Sequence, residues 1–246
     1  MKHSILLIIF LSLFGTLSAQ FNYNGGRGDK IKGNGRITTE TRTASSFTDI
    51  DVGTSIRVEI TQSKSHTIEV EAEENLLPYV VTEISGKELH IHFKKGVSIK
   101  ANEPIIVHVN MADLREIDAG SASSVTTTSL FKGTDLAVEC GSSAQVEVEF
   151  EGNSVRADVG SAGRVELRGA VNSVDLEVSS AGVINAGELK AKNAKVEANS
   201  AGSMSVYASE RLDADASSAA SIRYKGNPRE VFTDSSSAGR VNRSNF

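Results

Sequence analysis

A short phrase recurs seven times between residues 117 and 241, and it constrains the fold more than any other feature of the chain. Each copy begins with an acid, continues through one variable and one small or polar residue, and then places Ser at its fourth position. The copies lie at residues 118–122, 139–143, 158–162, 177–181, 197–201, 215–219 and 234–238. A spacing of about twenty residues is typical of a solenoid in which each repeat forms one stacked coil.

Alternation on both sides of the phrase predicts strands. With the third residue of each copy as position zero, positions −5, −3 and +5 are apolar in almost every copy, with Thr233 the departure at −3. Because alternate residues of a strand point to opposite faces, these side chains are expected inside and the acids at −2 outside. Small residues at zero to +2 permit a sharp corner. The sequence therefore predicts an all-β fold, a single-stranded parallel β-helix with about 19–20 residues per coil.

The two ends of the chain differ from this pattern. Lys2 precedes an apolar run at 5–13, and small residues follow at 17–19, which is the pattern of a secretory signal peptide. We expect 1–19 to be the signal peptide and 20–36 a flexible leader. Residues 37–246 are predicted to form a single β-helix domain, with irregular N-terminal coils or a cap at 37–115 and regular repeats at 116–246. No later segment reaches the roughly 18 apolar residues of a transmembrane helix, so an exported chain without a transmembrane segment is expected.

Composition excludes several classes of function. A net charge of −5 argues against nucleic acid, which favours a basic face. Cys140, the only cysteine, rules out an internal disulfide and is predicted to be a small buried side chain. His90 and His92 share a strand face, but no third metal ligand is placed by the sequence, so strand-surface histidines are expected. The chain carries no nucleophile elbow, phosphate loop or zinc-protease helix motif, and we expect neither a cofactor nor an enzymatic activity.

The acids at position −2 are the first candidate for an interaction face, because stacked coils would bring them close together along one outer surface. This set is named the acidic column and comprises Asp118, Glu139, Asp158, Glu177, Glu197, Asp215 and Asp234. Solvated acids that keep the face soluble are one interpretation, and binding of cations or of a basic polymer is the other. The serines at +1 are predicted to be structural at the corner, with a hydroxyl array for glycan as the alternative. The tripeptide 27–29, Arg-Gly-Asp, is interpreted as a chance occurrence in a Gly-rich stretch.

The order of features resembles a family of exported bacterial proteins described as putative auto-transporter adhesin, head GIN domain. The residues that carry the resemblance are 47–53, 58–62, 70–78 and the run of Gly-Ser-Ala-Gly corners. The resemblance implies a right-handed parallel β-helix and an envelope or surface location in a Gram-negative bacterium. It supplies no catalytic motif.

These observations predict a non-enzymatic, exported β-helix protein of the cell envelope or surface. Its predicted role is an adhesin-like interaction module that binds glycan or an envelope or surface protein. Two alternatives stay open, a carbohydrate-active enzyme on the same scaffold and a purely structural envelope protein. The periplasm and the cell surface or extracellular space are both compatible with the sequence.

Overall fold

A computed structural model describes residues 29–244 of the chain. The expected signal peptide, the leader up to residue 28 and thus most of the Arg-Gly-Asp tripeptide lie outside the described residues. The described part contains twenty-one strands, one 3₁₀ turn at Leu77–Tyr79 and no α-helix. The strands are β1 (Asp29–Lys32), β2 (Ile37–Arg42), β3 (Asp49–Val52), β4 (Arg57–Gln62), β5 (Thr67–Glu73), β6 (Val80–Ser85), β7 (Glu88–Phe93), β8 (Val97–Lys100), β9 (Ile106–Met111), β10 (Glu116–Ala119), β11 (Ser124–Thr127), β12 (Phe131–Lys132), β13 (Asp135–Cys140), β14 (Gln145–Glu151), β15 (Ser154–Val159), β16 (Arg164–Val178), β17 (Val183–Ala198), β18 (Ser203–Ala216), β19 (Ser221–Lys225), β20 (Glu230–Ser235) and β21 (Arg240–Arg243).

The strands stack in parallel as two walls of a solenoid. The front sheet holds the strand segments that precede each corner, in the order β7, β3, β10, β13, β15, β16, β17, β18 and β20. The back sheet holds the segments that follow each corner, in the order β9, β4, β11, β14, β16, β17, β18, β19 and β21. Strands β16, β17 and β18 contribute to both sheets because each continues from the back wall of one coil into the front wall of the next. The predicted fold of stacked parallel β coils is confirmed.

The corner between the two sheets has the same backbone geometry in every repeat. Ser161 and Ala162 have φ values of 48° and 61°, and the equivalent pairs of the other six copies are also in the left-handed region. The Gly163 N–H donates to the Gly160 carbonyl at 2.8 Å, which closes a two-residue turn of the primed type. Neighbouring turns are hydrogen-bonded as well, since the Ala162 N–H donates to the Ser180 carbonyl of the next coil at 3.1 Å. The corners therefore continue the stacking of the sheets without a gap.

The first coils are not stacked in chain order. Strand β3 lies between β7 and β10, and β4 lies between β9 and β11. The β3–β4 coil comes first in the chain, and the β7–β9 coil that follows it pairs with its outer edge. The chain then crosses back, so that β10 and β11 pair with the opposite edge of the β3–β4 coil. The outer edges at this end are covered by antiparallel strands, β6 on β7 and β5 with β2 on β9. These antiparallel strands cover the edges of the two parallel sheets at the N-terminal end of the solenoid.

A buried carboxylate fixes this end. Glu73 is 0% exposed and accepts hydrogen bonds from the Gly35 N–H at 2.6 Å, the Asn102 N–H at 2.8 Å and the Asn102 side-chain amide at 2.7 Å. These bonds tie β5 to the segment that follows β1 and to the segment that precedes β9. Residues 29–32, which the sequence placed in the leader, form β1 and pair in parallel with β8.

The core is a continuous column of apolar side chains from both sheets, running from Phe47 to Ile222. It ends at the last coil, where β20 and β21 are mostly exposed. Val231 and Phe232 of β20 are 44% and 51% exposed. Within residues 29–244 the two ends of the solenoid are therefore built differently, with antiparallel strands over the first coils and no strand paired to the outer edges of β20 and β21.

Candidate functional site

The seven acids of the acidic column lie directly above one another on the outer face of the front sheet. Each is the register partner of the next, from Asp118 through to Asp234. Asp51 of β3 extends the column by one coil, because it is the register partner of Asp118. The sequence carried a signal for this residue, since 50–56 holds a degenerate copy of the repeat.

Most of these carboxylates have no cationic partner among residues 29–244. Of the seven acids and Asp51, only two have an ion-pair partner within the described part of the chain: Asp51, with His90 at 2.9 Å, and Glu197, with Lys195 at 3.2 Å. The neighbouring column on the same face is different, since Arg156, Asp175 and Lys195 are successive register partners of alternating charge. The acidic column is thus a line of like charge beside a line of mixed charge.

Crowding of like charge is strongest near the N-terminal end of the column. Partial burial raises the pKa of the Asp118 carboxyl, and the charges of Asp51 and Glu139 raise it further. Burial also raises the pKa of Glu116, with the charge of Asp49 as the next cause. Both shifts mean that the ionised form of each carboxyl group is disfavoured relative to the neutral form. A cation or a hydrogen-bond donor placed beside these groups would therefore be favourable.

A shallow, open depression lies between the acidic column and the corner. Its walls are formed by Asp118, Glu139 and Asp158 and by the residues that follow them at the corner. In these coils position zero is Gly120, Gly141 and Gly160, and a Cβ added at Gly120 or Gly141 would meet no atom within 4 Å. Neither of these glycines has a positive φ. The backbone therefore does not require glycine there, and its effect is to leave space beside the carboxylates.

His90 sits at the N-terminal end of the column as the register partner of Asp51. Its Nδ1 lies 2.9 Å from Asp51, and its Nε2 lies 3.5 Å from Glu88. The hydrogen bond to Asp51 raises the pKa of His90, although burial opposes it, and the charge of Glu88 adds to the rise. These three residues bring one potential metal ligand each within 4.8 Å of one another. Since each ring nitrogen faces its own carboxylate, a protonated imidazole that offsets two acids accounts for the geometry.

A second hollow opens on the front sheet where its strands begin. Arg115, Asp113, Asp135 and Arg156 line it, and Leu114 and Leu136 are among its apolar residues. The Asp135 carboxylate accepts hydrogen bonds from Ser154 at 2.5 Å and Asn153 at 3.2 Å, and these bonds lower its pKa. A charged and polar rim over an apolar floor suits a sugar or another polyhydroxylated ligand. This hollow was not predicted from the sequence, because its four charged residues come from three coils and each holds a different repeat position.

The serine column and Cys140 are structural in this arrangement. All seven corner serines have a positive φ, between 48° and 53°. Their small size is what the left-handed corner uses. Cys140 is 4% exposed, as the sequence predicted, and its Sγ lies 3.3 Å from the Ala144 carbonyl. Burial raises the pKa of this thiol, which makes it a poor nucleophile.

Several solved structures share this fold. A putative adhesin from Bacteroides fragilis aligns with a TM-score of 0.83 and 19% identity, over 87% of this chain and 100% of that chain. A putative lipid binding protein from Parabacteroides distasonis aligns with a TM-score of 0.74 and 24% identity, over 88% of this chain and 100% of that chain. A putative adhesin from Parabacteroides merdae aligns with a TM-score of 0.72 and 23% identity, over 88% and 100%. At these identities the likeness establishes the fold alone.

No curated protein matches the chain in sequence. Within residues 29–244, no helix is long and apolar enough to cross a membrane. The family model described as putative auto-transporter adhesin, head GIN domain, matches residues 46–228, which is most of the chain. The chain therefore belongs to the putative auto-transporter adhesin, head GIN domain family.

Proposed function

We propose that this chain is an exported, non-enzymatic interaction module of the cell envelope or surface, and that it binds glycan or an envelope component through the front sheet. The single observation that carries the proposal is the acidic depression, defined by Asp118, Glu139 and Asp158 with Gly120 and Gly141. It combines carboxylates that have no ion-pair partner within residues 29–244 with an open space beside Gly120 and Gly141. The family description and the adhesin names of the structural neighbours support the same class of function.

The chemistry of the depression suits hydroxyl-rich or cationic ligands. A carboxylate with no internal partner can accept hydrogen bonds from the hydroxyls of a sugar, and charge-assisted bonds of this kind are about twice as strong as neutral ones. Because the carboxylates repeat along a rigid wall, a chain of sugars can engage several coils at once. Such repeated weak contacts add up to useful avidity.

A glycan array probed with the purified chain tests this proposal. We expect binding by the native chain and loss of binding in Glu139→Gln, which removes a charge from the depression, and in Gly141→Val, which fills its space. The matched controls are Glu147→Gln on the back sheet and Ser217→Val at the same repeat position near the C-terminal end. Binding that survives both test variants would rule out the depression, and an array without any bound glycan would rule out the glycan ligand.

Protease accessibility on intact cells tests the location. Digestion of the protein on whole cells would place it at the surface, as an adhesin requires. Protection until the outer membrane is opened, with a periplasmic protein as the control, would instead favour an envelope component as the partner.

The second hollow favours one alternative, a carbohydrate-active enzyme, because it brings two Asp and two Arg side chains together. Glycoside hydrolysis needs one carboxyl group with a raised pKa as its acid. The hydrogen bonds to Asp135 lower its pKa, so this group stays ionised and cannot act as that acid at neutral pH. Release of reducing ends from a polysaccharide by the native chain, lost in Asp113→Asn, would establish the enzyme and overturn the non-enzymatic proposal.

A further inference from the structure

The last coil leaves two strand edges without partners. Within the described residues, β20 pairs only with β18, and β21 pairs only with β19. Exposed large hydrophobic side chains of the described chain lie on end strands, namely Ile37 on β2 and Val231 with Phe232 on β20. Strand β20 has regular register, no internal proline and a β-favouring sequence. Proteins normally protect such an edge with a bulge, a proline or a covering segment.

We propose that this coil is an interface between two copies of the chain, in which β20 of one copy pairs antiparallel with β21 of the other. A twofold axis perpendicular to the solenoid axis places the two end coils face to face and makes every strand pair across the contact antiparallel. The interface is then isologous and closes at a dimer. At the N-terminal end the edges of β7 and β9 are covered by β6 and β5, so the end coil there does not present the same two edges.

Charge decides which strands meet across the axis. By register with the preceding coil, the outward residues of β20 include Glu230 and Asp234, whereas those of β21 include Arg240. Pairing β20 with its own copy sets Glu230, which is ion-paired with Arg211 at 3.0 Å, against Asp234 of the other chain, so Asp234 faces a second carboxylate and no free cation. Pairing β20 with β21 sets Asp234 beside Arg240 of the second copy, and neither residue has an ion pair within residues 29–244. Because the two copies are related by a twofold axis, the contact between Asp234 and Arg240 occurs twice in the second arrangement.

The inner face of the coil is compatible with this contact. Val231 and Val241 point toward the solenoid interior and would become buried, while Thr233 and Ser235 supply hydroxyls that can pair across the join. Arg243 stands at an inward position, but its guanidinium donates to the Gly226 carbonyl at 3.1 Å and to the Asn227 side chain at 3.1 Å. Its charge is therefore held at the margin of the coil. In the resulting dimer the two acidic columns face opposite sides of one long rod.

Sedimentation velocity of the full chain over a range of micromolar concentrations tests the proposal. We expect a monomer–dimer equilibrium whose Kd rises at least about tenfold in Asp234→Arg and in Arg240→Asp, because each variant places two like-charged pairs in the interface. The mixture of these two variants is expected to form heterodimers with nearly native affinity. Asp158→Arg, the same substitution at mid-column, is the matched control and should dimerise like the native chain.

The two possible strand pairings predict opposite changes in the dimer Kd of Asp234→Arg. If β20 pairs with its own copy, Asp234→Arg gains an attraction to Glu230 and dimerises more tightly, which would overturn the assigned pairing. A chain that stays monomeric at high micromolar concentration would overturn the interface itself. Both variants lie on the exposed last coil, and an unchanged far-ultraviolet circular dichroism spectrum establishes that the remaining coils are folded.

Discussion

Replacing Asp118 with Asn should stabilise the protein at low ionic strength, because it removes the most crowded charge of the acidic column. Asp118 lies between Asp51 and Glu139 in strand register, and it has no ion pair within residues 29–244. Asparagine keeps the size and polarity of the side chain. The substitution therefore isolates the electrostatic contribution of one carboxylate.

The size of the effect follows from the spacing of the coils. Stacked strands lie about 4.8 Å apart, and two unit charges about 5 Å apart in water repel by about 0.8 kcal/mol. Asp118 has two such neighbours, but the contact with His90 offsets part of the Asp51 charge. We therefore expect a gain of about 1 kcal/mol in the free energy of unfolding.

Asp175→Asn is the matched control with the opposite sign. Asp175 lies on the same sheet, but its register partners are Arg156 and Lys195, and the Arg156 guanidinium is 3.6 Å away. Removing this carboxylate loses two attractions, so the variant should be less stable by a few tenths of a kcal/mol. Both effects should shrink between about 0.01 M and 1 M salt, since the Debye length falls from about 30 Å to about 3 Å.

Urea unfolding of the three proteins at both salt concentrations provides the measurement. A pH series adds an independent check, because the pKa of Asp118 is raised above its ordinary value of 3.8. The ionised Asp118 carboxylate destabilises the folded chain fully at pH values above the folded-state pKa. This destabilisation is relieved as the pH falls through that pKa toward the unfolded-state pKa. The advantage of Asp118→Asn should disappear over that range. A variant that is less stable than the native chain at low salt, or whose effect ignores salt, would refute the repulsion.

Two further predictions concern the structural glycine and the buried carboxylate. Gly182→Ala should cost about 1–3 kcal/mol, because its Cβ would lie 2.8 Å from the Val159 carbonyl, whereas Gly141→Ala should be near neutral in the same thermal melt. Glu73→Gln should speed amide hydrogen exchange at Gly35, because the Gly35 N–H donates a hydrogen bond to the native carboxylate. Burial raises the pKa of Glu73, but its hydrogen bonds outweigh this and hold it below the ordinary value, so the native bond should weaken only as the pH falls through that lowered pKa. Exchange at Gly35 that is equal in both chains at neutral pH would remove this role.

The regular part of the fold could be predicted from sequence because each coil repeats the same position-specific choice. Apolar residues at fixed positions determine which side chains point inward, and an acid at −2 in every copy must then form an outward column. Leu176 and Glu177 illustrate the pattern, the first 1% exposed in the core and the second exposed on the front sheet. The predicted placement of the acidic column on one outer face follows from this single periodicity.

The N-terminal coils could not be ordered from sequence. Alternation in 49–52 and 88–93 identifies strands, but it is the same for parallel and antiparallel neighbours and contains no information about partners. The insertion of β3 between β7 and β10 depends on contacts between residues far apart in the chain. The corner was also only partly predictable, since Ser-Ala is an unusual choice for two successive left-handed residues and becomes favourable through hydrogen bonds to the neighbouring coil.

The two glycine positions of the Gly-Ser-Ala-Gly phrase have different surroundings, and this difference bears on function. The second, as at Gly163 and Gly182, is closely packed, because an added Cβ would meet a carbonyl of the preceding coil, although Ser123, Ala144 and Ala220 hold the same position in other copies. The first, as at Gly120 and Gly141, faces open space and is replaced by Ser or Asn in the last four copies without any change of corner geometry. Since folding does not select the first glycine, its restriction to the N-terminal coils matches the position where the carboxylates are most crowded. The ligand-binding depression that we propose therefore belongs to the three copies that keep this glycine, at Gly120, Gly141 and Gly160.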